Sequence, residues 1–489
     1  MGSNIRTLVG LVFAIAVYGA CRWGGMSADQ SMTAAVTVLC AVWWCSEALP
    51  IPVTSLVPFV VFPLAGVLDH GQLALAYGDR FILLFMGGFM ISRAAEKSRA
   101  HLRIADGVIR LVGTSSDRRL VIGFMLASGL SSMWISNTAT ALIMLPVAMA
   151  VIAQRQAAPK FAVSLLLAVA YGSSIGGVTT LTGTPPNGVF ASVYADVTGS
   201  NVDFVRWMRV GLPVGLLMMV ACGVLLTLGL RGGGGAERED LGPWTRAQAL
   251  VFVVITVTAL LWITRRLPFG LGGWSIWLDM PAAHDATIAL LAVIALFLIP
   301  SGAQREDGSA DRLLDWQTAR NIPWGILLLF AGGLAIAQAF RATGLADQIG
   351  AGIQDASAGL PTFVVIGLIC LTVTFTTEVT SNTATTTLLM PILAAAAAAA
   401  GVDPALYMVP AALSASCAFM LPVATPPNAI VFGGSKQLTI PKMAKRGVVL
   451  NLVGVVVVTS VCTTLLGGSA PSSGPDAEPG LGPGDVSAS

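Results

Sequence analysis

Charged side chains are scarce in this sequence. Asp, Glu, Lys and Arg supply 11% of its 489 residues, where an ordinary soluble domain carries about 25%. A chain so short of charge cannot clothe its surface for water, so its solvent must be largely lipid. The net charge is only +2, and the basic residues are spread over many short loops, which excludes a nucleic-acid footprint. Only three histidines occur, His70, His101 and His284, and the seven cysteines (Cys21, Cys40, Cys45, Cys222, Cys370, Cys417 and Cys462) form no CxxC pair. A membrane enzyme would need a nucleophile–base or metal constellation, and none appears. The cysteines fall in or beside apolar runs and read as buried free thiols. No convincing small-residue cleavage site follows the first apolar run, Ile5 to Ala20, so it reads as a retained helix.

What the chain has in quantity is apolar sequence, at 55% of residues. A hydrocarbon core of ~30 Å needs ~20 apolar residues per helix. Windows of that kind predict eleven spans, near 5–22, 31–48, 52–68, 81–98, 160–198, 207–230, 247–264, 285–300, 322–341, 404–433 and 446–467. Two further stretches, 118–154 and 359–400, are too long for one helix and are interrupted at their centres by small polar residues. Each is expected to be a re-entrant hairpin, two half-length helices meeting at a polar tip. Cytoplasmic loops collect Lys and Arg. With the N-terminus in the cytoplasm, that side receives 20 of the 27 basic residues. The other side receives Arg22, Arg80, Arg206, Arg209, Arg265, Arg266 and Arg341. This predicts a multi-pass protein of the plasma (inner) membrane with its C-terminus outside. The Gly232–Gly235 run with Glu237–Asp240 reads as a flexible cytoplasmic linker. The Gly/Pro/Ser-rich tail after Thr464 is expected to be disordered.

The chain also repeats itself. Ser136-Asn137-Thr138-Ala139-Thr140 recurs letter for letter as Ser381-Asn382-Thr383-Ala384-Thr385, each with a proline ten residues beyond its serine, Pro146 and Pro391. Gly87-Gly88 matches Gly332-Gly333 at the same offset. Downstream, Thr184-Pro185-Pro186-Asn187 recurs as Thr425-Pro426-Pro427-Asn428. Five predicted spans lie between the two hairpins, an odd number, so the second copy must enter from the opposite face. Inverted repeats with unwound helices are the architecture of secondary transporters, with the site near the midplane. Channel filters instead usually come from several identical subunits around an axis.

These motifs suit ions. Two consecutive prolines lack amide hydrogens and cannot continue a preceding helix, so each TPPN frees carbonyls. Freed carbonyls, serine hydroxyls and asparagine oxygens are hard donors for an alkali cation. At the SNT tips, asparagine offers an oxygen to a cation and two N–H donors to an anion, and the helix that follows presents its positive dipole end. No Lys or Arg lies within ten residues of either SNT or within seven of the second TPPN, and none lies between Lys160 and Arg206. An anion there cannot rely on a fixed basic side chain, which makes co-bound sodium a physical expectation. The competing reading, polar residues that only join neighbouring helices, fits one SNT better than two copies paired with two TPPN segments.

At these residues the sequence resembles the divalent anion/sodium symporter (DASS) family, the INDY-type di- and tricarboxylate transporters, over nearly the whole chain after the first helix. The resemblance implies an all-α membrane protein of about 11 transmembrane helices plus two re-entrant hairpins, working as a homodimeric elevator. Residues 1–117 and 247–341 would form the scaffold. Residues 118–230 and 359–467 would form the transport domain, with 231–246 as linker and 468–489 as disordered tail. Ser132, Ser136, Asn137 and the Gly183 carbonyl would hold one sodium. Thr377, the Thr380 carbonyl, Asn382 and the Ala424 carbonyl would hold a second. Asn137, Thr138, Asn382 and Thr383 would meet the substrate carboxylates, with Thr184, Pro185, Thr425 and Pro426 of the TPPN loops beside them. Carboxylate carriers of the family keep SNT at both sites and sulfate carriers tend to depart at the first. The expected cargo is therefore a C4-dicarboxylate such as succinate, malate or fumarate, moved with Na+. Dicarboxylate exchange, and symport of sulfate or another divalent anion, remain as alternatives.

Three other signals are read conservatively. Gly172-Ser173-Ser174-Ile175-Gly176 matches the GxSxG hydrolase elbow, but in a membrane helix its glycines read as close packing. Glu378, the one acid near a tip, is expected to orient its hairpin in preference to relaying protons. Trp43, Trp44, Trp134, Trp207 and Trp324 read as interfacial or packing aromatics.

Overall fold

Uncharged apolar runs become helices wherever proline and glycine allow. The computed structural model describes residues 3–154, 158–230, 241–266, 272–280, 282–304, 308–349, 352 and 359–467, which are almost entirely helical. Among the described residues nine helices are long and apolar enough to cross a membrane. They are Asn4–Trp23, His70–Ser98, Asn137–Gln154, Pro159–Thr179, Phe204–Thr227, Arg246–Arg265, Trp324–Ala342, Asn382–Ala399 and Ile440–Leu466.

The differences from the eleven expected windows have local causes. The 52–68 window holds two short helices, Ile51–Thr54 and Val57–Ala65. Pro58 lacks the amide that would donate to the Thr54 carbonyl and join them. The 160–198 and 404–433 windows each split in two. Pro159–Thr179 is followed by Pro185–Thr198, and Ala405–Ala415 by Pro426–Gly433, with a TPPN at each second start. The 285–300 window gives only Asp285–Leu298, because Ile299 is extended and Pro300 cannot extend a helix. There the expectation of an all-α chain fails: Pro300–Gln304 pairs antiparallel with Ala310–Arg312.

The hairpins are present as helix–tip–helix units, Asp117–Ser132 with Asn137–Gln154 and Thr362–Thr376 with Asn382–Ala399. Their arms of 16 and 18, and of 15 and 18 residues, are near span length and not half-length. Pro146 and Pro391 sit inside the second arms without ending them. A helix the hydropathy windows passed over, Ala100–Val112, packs against the first hairpin. Arg99, at φ 58, turns the chain into it.

The first helix, Ser3–Trp23, lies on Ala28–Ser46, where the Trp43 indole donates to the Thr7 carbonyl at 3.2 Å. Helix Pro159–Thr179 is buried from Phe161 to its end. Its GxSxG glycines allow the first hairpin to lie against it. A Cβ at Gly176 would stand 2.1 Å from the Gly129 carbonyl oxygen, and one at Gly172 2.5 Å from that of Met125. All seven cysteines are free and five are buried, whereas Cys45 is exposed and Cys21 partly so. The linker residues 231–240 and the tail 468–489 lie outside the described residues. The final helix runs to Leu466, past the expected start of the tail at Thr464.

Candidate functional site

Each hairpin tip is built the same way. In the first, Ser136 begins the second arm: its hydroxyl accepts from the Ala139 amide at 3.2 Å and its carbonyl from Thr140 at 3.0 Å. In the second, Ser381 accepts from Ala384 at 3.5 Å and from Thr385 at 2.8 Å. Behind each tip, a hydroxyl five residues upstream meets the asparagine. Ser132 Oγ stands 2.5 Å from Asn137 Oδ1, and Thr377 Oγ1 stands 2.7 Å from Asn382 Oδ1. Among the described residues the NH2 group of neither asparagine donates a hydrogen bond. Asn137 Oδ1 also lies against Gly177, where a Cβ would come within 2.4 Å of it. Thr380 Oγ1 joins the Thr376 carbonyl at 2.9 Å and Thr385 Oγ1 at 2.7 Å.

The two breaks match as well. In the first, Gly183 N donates to Thr180 O at 3.3 Å, and in the second Ala424 N donates to Leu421 O at 3.2 Å. An aromatic donor from another helix also reaches one backbone carbonyl at each break, just before the first and within the second. The Trp207 indole donates to Val178 O at 3.0 Å, and the Tyr171 hydroxyl to Phe419 O at 2.7 Å. The halves differ in length: the first break runs over 180–184 and the second over 416–425. The longer one has an additional clamp. Glu378 is buried, and its carboxylate accepts from the amides of Met420 and Leu421 at 2.8 and 2.9 Å. Asn451 of the last helix ties Glu378 to the Phe419 amide. This is the orienting role expected of Glu378, directed at the neighbouring break.

Both tips and both breaks border one cavity of about 1920 Å³. Ser136, Asn137, Thr138, Gly183, Thr184, Pro185, Thr380, Asn382, Thr383, Ala424, Thr425 and Pro426 all line it. The remaining two predicted site residues, Ser132 and Thr377, do not. They are fully buried behind the tips and reach the cavity only through Asn137 and Asn382. The cavity lining also includes the charged residues Arg6, Glu47, Arg93, Glu96 and Arg99. Among the described residues no Lys or Arg forms a hydrogen bond or ion pair with either tip or either TPPN. Four helices begin at the cavity, Asn137–Gln154, Pro185–Thr198, Asn382–Ala399 and Pro426–Gly433, and the positive end of a helix supplies up to ~0.5 charge, beside hydroxyl, carboxamide and carbonyl oxygens. That donor set suits alkali cations and an oxyanion together.

Two expectations are corrected here. The TPPN asparagines, read as oxygen donors, do not border the cavity; both are fully buried and donate to backbone carbonyls. Trp207 is more than packing, as its indole N–H covers Val178 O. Sequence reasoning also missed Tyr171 and Asn451. The available signal was their chemistry, since a polar side chain inside an apolar helix wants a partner.

The chain is also similar to known transport proteins. Residues 3–466 match the sodium:sulfate symporter transmembrane region. The chain is 37% identical to the sodium-dependent dicarboxylate transporter SdcS of Staphylococcus saprophyticus, over 87% of this chain and 84% of that protein. The SdcS of Staphylococcus aureus strain NCTC 8325 is 38% identical over the same shares. Among solved structures, the YdaH transporter of Alcanivorax borkumensis covers 89% of this chain and 99% of its own at a TM-score of 0.58 and 15% identity. MtrF of Neisseria gonorrhoeae covers 83% and 84% at a TM-score of 0.55 and 13% identity. At such low identity these two show a shared fold.

Proposed function

The chain belongs to the sodium:sulfate symporter family, and from that premise we propose that it moves a C4-dicarboxylate, such as succinate, malate or fumarate, across the membrane together with sodium. The observation that carries this is the meeting of both tips and both breaks at one cavity with no basic side chain bonded to them. A dianion there is balanced by the helix N-termini at the tips and breaks and by co-bound cations. Sodium would sit at Ser132, Ser136, Asn137 and the Gly183 carbonyl, and again at Thr377, the Thr380 carbonyl, Asn382 and the Ala424 carbonyl. In each set the hydroxyl that now donates to the asparagine oxygen turns a lone pair to the ion. The NH2 groups of Asn137 and Asn382, with Thr138 and Thr383, take the carboxylates, and Thr184, Pro185, Thr425 and Pro426 wall the site. Sodium binding thus arranges the carboxylate donors, which couples the two cargoes.

In this reading the protein is a homodimeric elevator with an inverted repeat and eleven spans besides the hairpins. Residues 118–230 and 359–467 travel against a scaffold of 1–117 and 247–341. The cavity also borders Arg6, Arg93 and Arg99, which the charge asymmetry assigns to the cytoplasm, so in this reading the conformation described faces inward. The N-terminus is then cytoplasmic and the C-terminus external, in the plasma membrane.

The test is uptake of labelled succinate into proteoliposomes. An inward sodium gradient should drive it, with a sigmoidal dependence on sodium. Equal uptake in choline and in sodium would end the symport reading. Counterflow that needs internal dicarboxylate but no gradient would favour exchange, and competition by sulfate would widen the substrate class.

A further inference from the structure

Asn187 and Asn428 each stand at the third position of the helix after a break, and neither borders the cavity. Both are completely buried. Asn187 Nδ2 donates to Thr180 O at 2.8 Å and to Gly177 O at 3.2 Å, with Val178 O at 3.4 Å. Asn428 Nδ2 donates to Leu421 O and to Ala418 O, both at 3.0 Å. The reach is seven and ten residues back in both halves. Turning either carboxamide over would set its oxygen against those carbonyls, so the orientation is fixed by the partners.

The selection of carbonyls matters more than their number. A broken helix leaves several carbonyls without amide partners, and prolines at the next two positions remove the donors that would have followed. The carboxamide takes the carbonyls that face protein. Thr180 O and Leu421 O each receive a second donor, from Gly183 N and Ala424 N, which closes the same turn in each half. The carbonyls of Gly183 and Ala424, four residues before each asparagine, are left. Among the described residues neither accepts a hydrogen bond, and both residues border the cavity.

We propose that Asn187 and Asn428 are positioning residues for the two cation sites, each locking the turn that holds one free carbonyl toward the ion. This rests on the reading that Gly183 and Ala424 carbonyls bind sodium. The locked turn sets the distance between that carbonyl and the tip oxygens, and so the size of ion the site accepts. Either asparagine acts on affinity and on ion choice without touching ion or substrate.

The test uses the full chain, purified and reconstituted. Asn187→Asp and Asn428→Asp keep the shape but replace the donor NH2 with an acceptor. Each should raise the sodium concentration for half-maximal succinate uptake at least tenfold at pH 7.5 and alter the ratio of uptake in lithium to uptake in sodium. Acidification should restore both readouts in part, because a protonated carboxyl regains one donor, whereas the parent should not respond this way. Asn187→Ser and Asn428→Ser are the second variants, should the carboxylates prevent folding. Folded variants with the parent's half-saturation and lithium ratio would overturn the proposal, and so would failure of both substitutions to fold, which would make the asparagines purely structural. A parent with neither sodium-dependent uptake nor sodium-dependent thermal stabilisation would instead remove the sodium reading itself, and the proposal with it.

Discussion

Asn451 Nδ2 and Glu378 Oε1 meet 2.7 Å apart, joining the last helix to the second hairpin tip. Through this contact the amides of Phe419, Met420 and Leu421, in the middle of the longer break, all gain acceptors. The first half has a shorter break, and the residue matching Glu378 by the 245-residue offset is Met133.

Glu378→Gln would turn an NH2 toward donors, leaving buried groups unpaired at ~1–3 kcal/mol each. The expected result is a lowered melting temperature and weak uptake at every pH tested. A variant of unchanged stability that loses only uptake driven by a proton gradient would assign Glu378 to proton transfer.

Ser132→Ala and Thr377→Ala remove the hydroxyls behind Asn137 and Asn382 without altering the cavity wall. Sodium half-saturation should rise about tenfold in each, corresponding to loss of an ion contact on the ~1.5–3 kcal/mol scale of charged hydrogen bonds. Thr377→Ser, which keeps the hydroxyl, should stay near the parent. Sodium titration of uptake separates these cases, and parent-like titrations for both alanine variants would remove the hydroxyls from the ion sites.

Adjacent glycines should fail differently. A Cβ at Gly176 meets the backbone of Gly129, which cannot move aside, so Gly176→Ala should cost ~1–3 kcal/mol or more through overpacking. A Cβ at Gly177 meets the end of the Asn137 side chain, so Gly177→Ala should fold and bind sodium poorly. Thermal unfolding beside sodium titration checks both; equal losses of stability would show that the contact with Asn137 is only packing.

Arg341 pairs with Asp196, and Ser192 donates to Asp79 at 2.9 Å. Both contacts join helix Pro185–Thr198, on the side proposed to move, to helices proposed to stay. Exposed pairs contribute ~0.2–1 kcal/mol, so Arg341→Gln should shift the conformational balance by up to about fivefold. The readout is thiol labelling of Ala139→Cys from the cavity side, in a chain whose seven native cysteines have been replaced. Slower labelling is expected; an unchanged rate would mean the pair does not bias this conformation.

The repeated SNT and TPPN were legible because their chemistry is local: prolines free carbonyls wherever they stand, and a serine before Asn begins a helix. The matching of Ser132 to Asn137 and of Thr377 to Asn382 came from the family resemblance. Hydropathy windows passed over Ala100–Val112 because its buried face includes His101 and Arg103, and they ran through Pro58 because apolarity does not register a missing amide. The role of Asn187 was hidden for a different reason. Its partners, Gly177 and Thr180, are near in sequence, but nothing in the letters says which way a carboxamide turns once the chain is broken. Tyr171 and Asn451 needed tertiary contacts more than seventy residues distant.

The width of the cavity has an electrical consequence. In the inward-facing reading proposed above, water filling it would carry the cytoplasmic potential past Arg6, Arg93 and Arg99 toward the hairpin tips, which share the cavity with them. The voltage across the bilayer would then fall mainly through the protein beyond the tips. A unit charge crossing 100 mV exchanges about 2.3 kcal/mol. In the elevator reading proposed above, most of that work would be done as the occupied tips travel, and little as ions approach from the open side. Membrane voltage would then act on the rate of translocation more strongly than on the sodium concentration needed at the cavity.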